Sequence, residues 1–72
     1  MYWHEIFKLF TKYEWIKRGE YRWQIIYDKE VVTAHIGGPS NDDLWISFST
    51  KYINLPLVIR DKETLEIYLA PI

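Results

Sequence analysis

Between Tyr2 and Ile16 the apolar residues recur every three or four positions, and from Tyr21 onward they recur every second. A helix repeats its face about every 3.6 residues and a strand every two, so a chain that changes period in this way combines both. In "YWHEIFKLFTKYEWIKRG" the residues Tyr2, Ile6, Leu9, Phe10, Tyr13 and Ile16 share one side of a helix, and Trp3 and Phe7 widen it. Glu5 in the first turn and Lys17 and Arg18 in the last suit the helix dipole, and Gly19 stands where a left-handed cap residue would end it. On that helix Trp15 projects among Lys8, Thr11 and Lys12, on the polar side. A competing reading ends the helix near Lys12 and starts a hairpin at "YEWIKRGEYRW".

The period-two stretch sets Tyr21, Trp23, Ile25 and Tyr27 against Arg22, Gln24, Ile26 and Asp28, the pattern of a half-buried strand. "DKE" turns it into "VVTAHIGG", with Val32, Ala34 and Ile36 inward and Val31, Thr33 and His35 outward, to form an antiparallel hairpin. "GGPSNDD", residues 37–43, concentrates turn formers and is expected to be the longest loop. In the next strand, "LWISFST", Leu44, Ile46 and Phe48 alternate with Trp45, Ser47 and Ser49, which sends Trp45 outward. "KYINLP" is read as a connector in which Pro56 limits ladder pairing. For "LVIRDKETLEIYLAPI" the preferred reading is a hairpin returning over the second "DKE", with Leu65, Ile67 and Leu69 on one face. The alternative is a short helix capped by Asp61, with Leu65, Tyr68 and Leu69 facing the core.

The fold expected is therefore α+β: one domain over residues 1–72, an N-terminal amphipathic helix packed on an antiparallel sheet of four to five strands. The alternative is α-β-β-β with a short C-terminal helix. A chain of 72 residues without cysteine has no disulfide to brace it, so its core must carry the fold. Most of the four Trp, six Tyr and three Phe are expected in that core, since each can bury roughly 150–250 Å².

A net charge of -1 gives no basic excess for binding duplex nucleic acid. No apolar run reaches the roughly 20 residues of a membrane span, and "MYWHEIFK" lacks the order of a signal peptide, so a cytoplasmic place without membrane attachment is expected. His4 reads as a surface histidine and His35 as solvent-facing. Asp42 and Asp43 lack the spaced ligands of a calcium loop, and "HIGGP" lacks the following Lys-Ser or Lys-Thr of a phosphate loop. No catalytic residue, metal or cofactor is assigned.

What stands out is the set of residues the alternation sends outward. Trp and Arg dominate binding hot spots, and Trp45 in a rim of Arg22, Gln24, Thr33, His35 and Ser47 has the composition of a small interface centre. The binding residues expected are Trp45, Trp15, Arg22, His35 and Gln24. The function expected is a small non-catalytic protein-binding module, of the kind by which phages or mobile elements sterically block a host protein or defence complex. The alternative is a binder of a nucleotide or single-stranded nucleic acid by aromatic stacking. The partner expected is another protein, with a homodimer left open.

Overall fold

Seven elements follow one another in the computed structural model, which describes residues 1–71: α1 (Trp3–Lys12), β1 (Ile16–Gly19), β2 (Arg22–Tyr27), β3 (Glu30–Gly37), β4 (Trp45–Ser49), β5 (Asn54–Ile59) and α2 (Lys62–Leu69). The strands form one antiparallel sheet in the order β1-β2-β3-β4-β5, each strand beside its chain neighbour. The α+β class and the helix packed on an antiparallel sheet are as expected. The end of α1, the C-terminal segment and the start of β5 differ from expectation.

α1 stops at Lys12, six residues short of the preferred end at Arg18, and β1 and β2 form the hairpin of the competing reading. The Glu14 N–H donates to the Thr11 carbonyl (3.1 Å) and the Trp15 N–H to the Phe10 carbonyl (2.9 Å), while Glu14 takes a left-handed φ of 64°. This is a Schellman stop without glycine. A non-glycine residue in that conformation costs about 1 kcal/mol. The hydrophobic contact that accompanies the motif offsets it: Trp15 meets Phe10 edge to face at 5.0 Å between centroids. Gly19, expected to cap the helix, instead ends β1.

The C-terminal segment is helical, as in the alternative reading, and not the preferred hairpin. Asp61 caps it by accepting the Thr64 N–H at 3.0 Å, and Leu65 and Leu69, one turn apart, are fully buried. Ile67, placed inward on the hairpin, is 69% exposed. β5 starts at Asn54, so part of the expected connector is strand.

The β2–β3 turn is tight. Asp28 and Lys29 both have positive φ, 51° and 66°, between the paired Tyr27 and Glu30. Two positive φ values define the type I′ turn, whose twist matches that of the strands it joins. At Gly38, φ 139°, the backbone runs so close to Asp43 and Leu44 that no side chain would fit.

Both helices lie on one side of the sheet. Ile6 and Phe10 from α1 and Leu65 and Leu69 from α2 share a buried cluster with Trp23, Ala34, Ile36, Leu44, Ile46, Phe48 and Ile59. Phe10 is its centre, stacked on Trp23 at 5.3 Å and edge-on to Trp15, which in turn tilts against Phe48. The indole N–H groups of Trp15 and Trp23 are buried without an acceptor. Such a donor costs about 1–3 kcal/mol, so these two rings are held by packing alone. Lys12 and Glu66 (2.7 Å) and Lys62 and Glu5 (3.5 Å) link the helices across their exposed side.

Candidate functional site

With α1 and α2 on the same side, no described element lies over the other face of the sheet. Register fixes who stands there. Directly paired residues share a face, so the pairs Ile16 with Gln24, Gln24 with Thr33, and Thr33 with Ser49 form one row across four strands. Arg22, His35, Ser47 and Val58 form a second, Ile26 and Val31 a third, and Gly37 and Trp45 a fourth.

Four of the five binding residues expected from the sequence, Trp45, Arg22, His35 and Gln24, therefore stand together on the open face. The fifth does not. Trp15 is 4% exposed in the aromatic cluster between Phe10 and Phe48, because the helix ends before it and the chain turns it inward. It is a core residue and no part of a contact surface.

The middle of the face is polar and internally satisfied. Gln24 donates its amide to the Thr33 hydroxyl at 3.0 Å, and His35 Nε2 lies 2.9 Å from the Ser49 hydroxyl. A His–Ser pair is part of a nucleophilic arrangement, but no outward strand position carries a carboxylate to orient the imidazole. Trp45 is half-buried with its ring over Gly37, in the space a Cβ at position 37 would occupy. An aromatic ring that covers a cross-strand glycine gives the strand end the packing the glycine lacks. Part of Trp45 is thus structural, and the remainder of its surface faces solvent.

The apolar groups sit toward one corner. Ile16, Arg18, Gln24, Ile25, Ile26 and Val31 line a shallow depression of about 80 Å³. Ile26 is 74% exposed, Ile16 53% and Val31 47%. The outward parity of Ile26 and Val31 was visible in the strand alternation. Ile16 was not, because a helix running to Arg18 places it in the core.

Titration is perturbed on the helix side. The Tyr2 N–H, donated at 2.9 Å, holds Glu5 below the usual carboxylate range, with Lys62 adding to it. Asp61 is lowered by the Thr64 N–H and hydroxyl, and Glu66 by hydrogen bonds from Lys12 and the Tyr13 phenol. Glu5, Lys62 and Glu66 border a groove of about 390 Å³ between α1 and α2, lined also by His4, Lys8, Leu9 and Glu63. Of its charges, Glu5 pairs with Lys62, and Glu66 with Lys12.

Among the described residues no group of three or more His, Asp or Glu could hold a metal ion, and no helix is long and apolar enough to cross a membrane. Comparison with protein-family models, with curated proteins and with solved structures gave no match.

Proposed function

We propose that this chain is a non-catalytic protein-binding module of the cytoplasm that docks through the open face of its sheet and blocks its partner sterically. The observation that carries the reading is the corner of Ile16, Ile26 and Val31. Three β-branched residues stand exposed together on a face that no part of the described chain covers. Contiguous apolar surface of this kind is characteristic of contact sites. Trp45 and Arg22, on the same face, are the residue types that dominate binding energy once desolvated. A phage or mobile-element inhibitor acting on a host protein is the finer form of the reading, supported by small size and by a face that offers contact in place of chemistry.

Affinity capture from a lysate of the native host tests it, comparing the wild-type chain with a folded Arg22→Glu, Ile26→Lys variant. A stoichiometric protein held by the wild type and lost by the variant is expected. A partner retained equally by both would refute docking through this face. Trp15 is unsuitable as a probe, since its replacement would disturb the core.

A further inference from the structure

The net charge of -1 conceals a partition. Of the ten Asp and Glu residues, only Glu30 falls within a strand, and it pairs with Tyr27. Tyr27 lines a cleft with Val32, Phe48 and Tyr68 on the helix side of the sheet, so Glu30 has inward parity. The other nine lie in helices, caps and turns. The open face carries Arg18 and Arg22, with no carboxylate beside them at an outward strand position. Among the described residues the ion pairs are Lys12 with Glu66 and Lys62 with Glu5, and no arginine takes part in them.

The shape of the corner narrows the ligand. A depression of about 80 Å³ is far below the roughly 300 Å³ at which small-molecule sites begin, but it can seat one aliphatic side chain. Arg18 borders it directly, and Arg22 projects from the neighbouring strand. Both are arginines, whose planar fork matches a carboxylate with two parallel hydrogen bonds. Approach by strand addition is discouraged at either edge. β5 contains Pro56, which has no N–H, and β1 is four residues long with a register break between Lys17 and Gly19.

We infer that the partner presents an acidic and aliphatic segment, a Leu or Ile flanked by Asp or Glu, with the aliphatic side chain in the Ile16–Ile26–Val31 corner and the carboxylates on Arg18 and Arg22. The inference rests on the protein-binding reading above and adds the chemistry of the partner. Phosphates would also suit the arginines. Exposed isoleucine and valine are the wrong neighbours for a nucleic-acid backbone, however, and two arginines offer little of the counterion release that drives such binding.

The test is an amide NMR titration of the isotope-labelled chain with a synthetic peptide of Leu flanked by Glu. Controls are the same peptide with Lys for Glu, the same with Ala for Leu, and oligo(dT). The inference expects shifts at Ile16, Arg18, Ile26 and Val31 with the acidic peptide. Affinity should weaken roughly tenfold in an Arg18→Glu, Arg22→Glu chain, as for charges paired across an interface, and should fall with salt. The spectrum of that variant also reports whether it is folded. Equal binding of the Lys peptide at the same corner would overturn the acidic assignment and leave the docking face standing. Shifts elsewhere, or none, would overturn docking at this corner. Tighter binding of oligo(dT) on the same residues would overturn both readings. Shifts on this face that follow protein concentration without peptide would assign it to a second copy and overturn the acidic partner.

Discussion

The two faces of this sheet are built from alternate residues of the same strands, yet they have opposite tolerances. Beneath the helices, Trp23, Ala34, Ile36, Ile46 and Phe48 are buried against Phe10, Leu65 and Leu69. On the open side, Arg22, Gln24, Thr33, His35 and Ser47 face solvent around an aliphatic corner and a tryptophan. The first face holds the core, and the second lies outside it. For a chain this short without disulfides, such a division has to be sharp, because nearly all the stabilisation must come from one layer.

The largest effect is expected in the aromatic cluster. Phe10→Ala removes a fully buried ring that touches both Trp15 and Trp23, and should cost about 3–5 kcal/mol, enough to unfold much of the population in a urea or thermal melt. A cost near zero would mean that the helix-side layer is not the core.

A smaller effect lies where the open face meets the fold. Gly37→Ala drives a methyl into the Trp45 ring and should cost about 1–3 kcal/mol. Most of that cost should disappear in a Trp45→Ala background, because the two changes share one contact. Simple additivity in the double-mutant cycle would show that the ring does not sit over the glycine.

The helix stop can be sharpened. Glu14→Gly relieves the left-handed φ of 64° and should raise stability by about 0.5–1 kcal/mol, read from the urea midpoint. A loss instead would mean that the Glu14 side chain contributes more than its backbone strain costs.

Acid should act on the carboxylates that link or cap the two helices. Glu5 and Glu66 lie below their ordinary value of 4.5 and Asp61 below 3.8, so the unfolded chain binds more protons in that range. Their contribution is complete above those ordinary values and is lost as pH falls through the lowered ones. Asp61 is exposed and Glu5 and Glu66 are only partly buried, so the effect should be shallow and weaker in salt. An acid titration followed by amide NMR should loosen α1 and α2 at their contact before it disturbs β2 and β3. The reverse order would break the assignment.

Much of the outer face was legible because strand alternation is a strict rule. Trp45, Arg22, His35 and Gln24 stand together, as period two requires. Trp15 was misplaced for a specific reason: the stop signal at Glu14 is made by backbone geometry and an aromatic contact, while the sequence displays its glycine five residues later. α2 was ambiguous because Leu65 and Leu69 satisfy period two and period 3.6 alike, and only the Asp61 cap separates them. That both helices cover the same side, leaving the other bare, is a property of the whole topology that no local pattern encodes. The Ile16, Ile26 and Val31 corner depends on it.

The most direct test of the division between the faces is the urea unfolding midpoint of an Ile16→Thr, Ile26→Thr, Val31→Thr chain. Threonine keeps the β-branched shape while removing apolar surface. If the open face is a contact surface, stability should stay within about 1 kcal/mol of wild type, as for exposed positions elsewhere. A loss approaching that of Phe10→Ala would show that these residues belong to the fold, and would contradict the account.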